Sequence, residues 1–177
     1  MTYEVRKATL ADRAAIAQLI AASARGLSRE HYADEQIEAA IASIFGVDTD
    51  LIDDGTYFVA EQDGRLIGCG GWSKRKKLYG GDHFPIHDAG MLDPANEPAR
   101  IRSFFVHPDH ARKGVAKTML SVCEREAKAH GFGALELMAT LPGVKFYEAN
   151  GYSPIGDFDL DLTDGVKIQF VPMRKDL

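Results

Sequence analysis

The stretch Ser103-Phe104-Phe105-Val106-His107-Pro108-Asp109-His110-Ala111-Arg112-Lys113-Gly114-Val115-Ala116 constrains this chain more than any other feature. Its first part is an apolar strand. Its second part is a basic, glycine-bearing turn that opens a helix, because Ala116, Met119, Leu120, Cys123 and Ala127 recur at helical spacing. A strand-to-helix turn presents backbone N–H groups that no helical carbonyl can satisfy, which makes it a good place to hold a diphosphate. About thirty residues later, Phe146-Tyr147-Glu148-Ala149-Asn150-Gly151-Tyr152 puts a tyrosine on a short helix that stops at a glycine.

The rest of the chain surrounds this unit with alternating elements. Tyr3 to Lys7 alternates apolar and polar residues as a half-buried strand does, and Thr9-Leu10-Ala11-Asp12 fits a capping-box helix start with Asp12 in the place of the usual Glu. Ile16, Leu19 and Ile20 mark the face of that helix. Ser23 to Ala33 reads as a polar connection, and Ile37, Ile41, Ile44 and Phe45 mark a second amphipathic helix. Tyr57–Glu61 and Arg65–Trp72 flank Gln62-Asp63-Gly64, a strong hairpin signal. Residues 73–98 break the pattern with Gly80, Gly81, Pro85, Gly90, Pro94 and Pro98 and read as a long loop excursion. Arg100 to Val106 is a strand, and Gly131-Phe132-Gly133 ends the helix after it. Ala134 to Thr140 is a strand and Leu141 to Asn150 a short helix. Tyr152–Leu162 and Lys167–Met173 close the chain as an antiparallel pair across Thr163-Asp164-Gly165. The order β-α-α-β-β, loop, β-α-β-α-β-β is mixed α/β in one domain, residues 1–177.

Composition narrows the function classes. A chain of 177 residues allows one domain with a sizeable core. The net charge of −5 argues against a broad nucleic-acid footprint. No run of about 18 apolar residues suggests a membrane span, and the N-terminal residues lack the apolar core of a signal peptide, so a cytoplasmic protein is expected. Cys69 and Cys123 each sit in an apolar stretch and read as buried free thiols.

The two segments together resemble the GNAT superfamily of acyl-CoA-dependent N-acetyltransferases, and the element order is also the one expected for that fold. The resemblance covers nearly the whole chain, residues 73–98 matching least. It implies a GNAT-like mixed, mostly antiparallel central sheet flanked by helices. It also implies acetyl-CoA as acyl donor, an amine acceptor, no metal, and an enzyme that is often a dimer. The family fingerprint Gln/Arg-x-x-Gly-x-Gly/Ala reads here Ala111-Arg112-Lys113-Gly114-Val115-Ala116: Gly114 and Ala116 match, and Ala111 departs. By resemblance the N–H groups of Arg112, Lys113, Gly114, Val115 and Ala116 cradle the pyrophosphate. The end of the preceding strand, Phe104-Phe105-Val106, pairs with the pantetheine arm through the backbone of Phe104 and Val106, while its side chains belong to the core. Phe146 packs beside the coenzyme. Tyr147 is the general acid that protonates the departing thiolate, a role suited to a phenol whose ordinary pKa is roughly 10. The plainer reading of Tyr147 is an aromatic packing residue.

The general base is not evident. Some family members carry a Glu where this chain has Arg100, which cannot accept a proton. The candidates are His83, His87, Glu97 and His107, or water relayed by backbone carbonyls. Arg100 and Arg102 share a strand face at period two, and in an acceptor groove they would hold a carboxylate or phosphate, which predicts an acidic or zwitterionic amine. Asp82, His83, His87, Asp88 and Asp93 match no metal-ligand spacing and read as a polar loop. Lys74-Arg75-Lys76-Lys77 reads as a solvated strand end. Gly68-Cys69-Gly70-Gly71 is followed by no helix and is not a dinucleotide loop. The expected acceptor is a small molecule, with no nucleic acid or membrane as partner. The rival from another class is a non-catalytic acyl-CoA-binding sensor or scaffold.

Overall fold

The period-two strands and period-3.6 helices assemble, in a computed structural model described for residues 2–84 and 90–177, into one sheet covered on both faces. In chain order the elements are β1 (Glu4–Lys7), α1 (Arg13–Leu27), α2 (Asp34–Ser43), α3 (Thr49–Asp53), β2 (Tyr57–Gln62), β3 (Arg65–Ser73) and β4 (Ala99–Val106). They continue with α4 (Val115–Ala129), β5 (Ala134–Thr140), α5 (Val144–Ala149), β6 (Ser153–Pro154), β7 (Phe158–Asp161) and β8 (Lys167–Asp176). The sheet order is β1-β2-β3-β4-β5-β8-β6, with β7 also paired to β8. Every pairing is antiparallel except β4 with β5, which the α4 crossover makes parallel.

The alternation of side chains builds a core on each face. Tyr57, Val59 and Cys69 pack with Ile16, Ile20, Ile37 and Leu51 under α1, α2 and α3. Trp72, Ile101, Leu135 and Leu137 pack with Leu120, Cys123, Tyr147 and Tyr152 under α4 and α5. Leu120 and Met119 are fully buried, and each such side chain contributes on the order of 2 kcal/mol. Two glycines let the layers close. A Cβ on Gly70 would stand 2.3 Å from the Phe104 ring, and one on Gly68 would stand 2.9 Å from Val115, so both side chains rest directly on the β3 backbone.

Four local outcomes differ from the sequence reading. α1 runs on through Ser23 and Ala24, both buried, where composition predicts a polar connection, because the two continue the stripe of Ile16, Leu19 and Ile20 at i+7 and i+8 and so fall on the face packed against the sheet. α2 ends at Ser43, and Ile44 and Phe45 reach the core from beyond its end. A short helix, α3, comes next without a sequence forecast; its first residue is held by a distant group, since Asp82 Oδ1 accepts from the Thr49 N–H at 2.8 Å. The first strand of the closing pair splits into β6 and β7, which face different parts of β8. The hairpin at Asp63-Gly64 forms as read, with both residues at positive φ, 51° and 74°.

The candidate active site

β4 and β5 pair only at Ala99 with Leu135 and Arg100 with Glu136. Beyond that point the two parallel strands part: β4 from Ile101 to Val106 is bonded to β3 alone, and β5 from Leu137 to Thr140 to β8 alone. The result is a gap in mid-sheet lined by unpaired backbone edges. Which groups face it is set by strand alternation. The His107 N–H donates to the Ile67 carbonyl of β3 at 2.9 Å, so Phe105 also faces β3, and the N–H and C=O groups of Phe104 and Val106 face the gap. A bulge sets this phase. Cys69 opposes Phe105 and Gly71 opposes Arg102, leaving Ser103 and Phe104 across from Gly70 alone. Ser103 takes the left-handed conformation, φ 55°, and its carbonyl accepts from the Tyr57 hydroxyl at 3.4 Å.

The turn after β4 is shaped by two left-handed residues, Arg112 at φ 60° and Gly114 at φ 84°. Gly114 is the N-cap of α4, and no side chain caps the helix there. The first N–H groups of this 15-residue helix therefore lack a capping acceptor, at the end where the helix dipole is positive. Arg112, Lys113 and Gly114 are exposed. A Cβ on Gly114 would meet nothing within 4 Å, so the glycine is required by its φ rather than by packing. The turn is seated from below: a Cβ on Gly26 of α1 would stand 2.3 Å from Pro108.

Tyr147 lies on α5, the element after the parted end of β5. It is 8% exposed, edge-on to Phe146 at 5.0 Å and to Tyr152 at 5.6 Å. Tyr152 spends its hydroxyl on Glu124, at 3.1 Å, whereas the Tyr147 hydroxyl has no hydrogen-bond partner among the described residues. Burial pushes the Tyr147 phenol well above its ordinary value, with Cys123 adding to the rise, so it is a neutral donor at physiological pH.

On the opposite face, a cleft of about 490 Å³ opens between α1, α2 and the excursion. Ala14, Ala17 and Ala21 form one wall, and Ile41, Phe45 and Val47 another. Phe45 also packs edge-on against Phe105 of β4 at 5.4 Å, which joins the cleft to the strand that borders the gap. Among the described residues its charged lining is Arg13 and Asp82, 3.7 Å apart, and His83 also lines it.

A family model for the GNAT acetyltransferases matches residues 15–152, which includes the gap, the turn and Tyr147. The chain belongs to the GNAT family. Solved structures of similar fold include a GCN5-related N-acetyltransferase from Rhodopseudomonas palustris, with TM-score 0.74, 21% identity, and 100% of this chain and 97% of that one covered. The PaiA N-acetyltransferase of Thermoplasma acidophilum, solved with coenzyme A, gives 0.67 and 18% with both chains fully covered. YncA of Salmonella typhimurium, solved with its cofactor acetyl-CoA, gives 0.63 and 18%, covering 100% of this chain and 95% of that one. Comparison with curated proteins gives no match.

Against this GNAT frame the two arginines of β4 stand differently from the sequence expectation. They do share a face, but neither side chain is free. Arg100 donates to Glu136 Oε2 at 3.0 Å. Arg102, only 1% exposed in its side chain, lies against an equally buried Asp48, with Nε and Oδ2 3.2 Å apart, and donates from Nη2 to Oδ1 and from Nη1 to the Lys77 carbonyl, both at 3.3 Å. Burial pushes the Asp48 carboxyl up, while the positive charges of Arg102 and Lys77 oppose that rise. Lys77, read as solvated, is in fact buried and donates to the Gly81 carbonyl at 3.2 Å, and burial lowers its ammonium below the ordinary value.

The base candidates also separate. His83 lines the cleft. The Glu97 carboxylate accepts from the Asp93 N–H at 2.8 Å, and His107 Nδ1 accepts from the Asp109 N–H at 3.2 Å, in the turn between β4 and α4. His87, with Pro85 and Asp88, lies outside the described residues. Among the described residues no group of His, Cys, Asp or Glu could hold a metal ion, and no helix is long and apolar enough to cross a membrane. Both cysteines are free and buried. What sequence reasoning missed at the site is Arg13, Asp48 and the β4 bulge. Arg13 sits at a helix start that reads as ordinary surface, and the other two depend on partners 54 and 33 residues away in sequence, Arg102 and Gly70.

Proposed function

We propose that this protein is an N-acetyltransferase that moves an acetyl group from acetyl-CoA to the primary amine of a small molecule. The observation that carries the reading is the gap between β4 and β5, with the backbone edge of Phe104 and Val106 on one lip and the uncapped start of α4 at one end. The pantetheine arm adds to that edge as a strand would. The diphosphate takes the N–H groups of Arg112, Lys113, Gly114, Val115 and Ala116, helped by the two exposed cations, and Phe146 packs beside the arm. Ala111 removes a side-chain contact but leaves the backbone cradle untouched.

Acetyl-CoA supplies a thioester, an activated acyl group. The acceptor enters through the cleft and past Phe45. The lone pair of its neutral amine forms the new C–N bond, the C–S bond breaks with its electron pair on sulfur, and Tyr147 gives sulfur its proton. The surplus proton on nitrogen leaves to His83 or to water and is returned to Tyr147 through solvent, so the products are an amide and a free thiol. Backbone N–H groups of β4 stabilise charge that develops on the acyl oxygen. The reading carries with it a cytoplasmic enzyme, alone or as a homodimer, that needs no metal, nucleic acid or membrane.

The test is calorimetric titration with acetyl-CoA of the wild type and Gly114→Glu, then thiol release against a panel of amines. The expected result is binding that the substitution abolishes, and turnover with at least one amine. Thermal unfolding checks that the variant is folded, since a side chain at φ 84° costs about 1–2 kcal/mol. Binding without turnover on any amine would support the sensor instead. Absence of binding to folded wild type would overturn the reading.

A further inference from the structure

The cleft between α1, α2 and the excursion has walls of one kind and a mouth of another. Alanines at i, i+3 and i+7 of α1, Ala14, Ala17 and Ala21, leave room that longer side chains would fill, and Ile41, Phe45 and Val47 make the facing side apolar. A space of about 490 Å³ with such walls suits the body of a small apolar molecule. Among the described residues, three titratable groups line it, Arg13, Asp82 and His83, and they are not equivalent. Asp82 is already satisfied as the cap of α3: Oδ1 accepts from the Thr49 N–H at 2.8 Å and Oδ2 from the Thr49 hydroxyl. Its pairing with Arg13 is long, 3.7 Å, and the Arg13 side chain is 57% exposed, so this contact holds the guanidinium weakly. No hydrogen bond holds the Arg13 guanidinium among the described residues, and it stands at the first residue of α1, where the helix dipole also favours an anion. The carboxylate that would neutralise it from the same turn, Asp12, is bound on both oxygens by Arg6, at 2.9 Å each.

We infer that the cleft selects a primary amine with an apolar body and a carboxylate, the carboxylate held by Arg13. This rests on the acetyltransferase reading for the fate of the amine, but not for the binding itself. Arg13 replaces Arg100 and Arg102 as the anion-holding group, because those two are engaged inside the protein. A planar guanidinium takes a carboxylate through two parallel hydrogen bonds, a geometry the long Asp82 contact does not offer.

The experiment uses three ligands with one body: L-leucine, L-leucinamide and isoamylamine. Binding of each to the full protein, with and without coenzyme A, is followed by amide chemical-shift titration in the wild type and in Arg13→Ala, and thiol release from acetyl-CoA is measured in parallel. Leucine is expected to bind at least tenfold more tightly than the other two, and Arg13→Ala to remove that preference while leaving isoamylamine within twofold. Arg13→Lys should restore part of it. Equal affinities in the wild type, or an equal loss for all three ligands in Arg13→Ala, would overturn the inference. Failure of the acetyl-transfer reading looks different: leucine binds with its Arg13-dependent preference, yet no thiol is released with any amine.

Discussion

Replacing Asp48 with alanine should destabilise this protein more than any other single carboxylate change. The pair it forms with Arg102 is as buried as the core, each side chain being 1% exposed. Deleting the carboxylate would leave a guanidinium whose remaining hydrogen-bond partner among the described residues is the Lys77 carbonyl, with the buried Lys77 ammonium close by and Asp50 and Asp54 acting only at longer range. Removing one partner of a buried pair costs about 3–5 kcal/mol, chiefly because the other charge stays buried without compensation. For a domain of this size that corresponds to a fall in Tm of about 6–20 °C. Urea unfolding at pH 7 of the wild type, Asp48→Ala, Arg102→Met and the double variant measures both the cost and the coupling. Since the penalty belongs to the orphaned charge, the double variant should recover much of what Asp48→Ala loses. A loss below about 1 kcal/mol in Asp48→Ala, or additive losses in the double variant, would show that the two side chains are not the mutually dependent buried pair described above.

Tyr147→Phe should lower kcat about 10²–10³-fold while the Kd for acetyl-CoA, read by calorimetry, stays within about twofold. Because burial raises the phenol above its ordinary value, the wild-type kcat should show no Tyr147-dependent decline up to about pH 10, and a decline below that pH that disappears in the variant would contradict the assignment. Asp12 gives a pH signature of stability: its hydrogen bonds from Arg6 hold it at about 2, below the usual carboxylate range, so its contribution is complete above about pH 4 and is lost as pH falls towards 2. With Arg6 one-third exposed and solvent screening the pair, the contribution is about 1 kcal/mol, and Asp12→Asn should flatten the acid limb of urea stability by that amount.

The elements that could be read from sequence are those whose cause is local. Asp63-Gly64 makes its own hairpin, the stripe from Met119 to Ala127 makes its own helix, and the left-handed requirement at Gly114 marks the turn. What escaped depends on partners far along the chain. Thr49 starts a helix because Asp82, 33 residues on, caps it. Arg102 is buried because Asp48 meets it, and a period-two argument gives its face but not its partner. Ser23 reads as connection by composition, yet the sheet beneath α1 buries it at 5% exposure. The gap in the sheet is the sharpest case. Both strands were legible, but their parting after two residue pairs is a property of neither strand alone, and the bulge that sets which backbone groups of β4 face the gap lies opposite Gly70, where a Cβ would strike the Phe104 ring.

The excursion joins these parts physically. The Gly81 N–H donates to the Ile44 carbonyl and the Asp82 N–H to the Val47 carbonyl, both at 2.9 Å, so the segment is laced to the link between α2 and α3. Lys77, from the same segment, gives its carbonyl to Arg102 of β4, one residue before the bulge. The segment that supplies Asp82 and His83 to the cleft is thus fastened to the strand that borders the gap. The two proposed binding surfaces still use separate groups: backbone of β4 and the α4 turn on one side, side chains of α1 and the excursion on the other. On the proposed reading, substitutions in the second set, such as Arg13, should retune the acceptor while the proposed backbone cradle for the coenzyme stays as it is, whereas a change at Asp48 should reach both at once through Arg102.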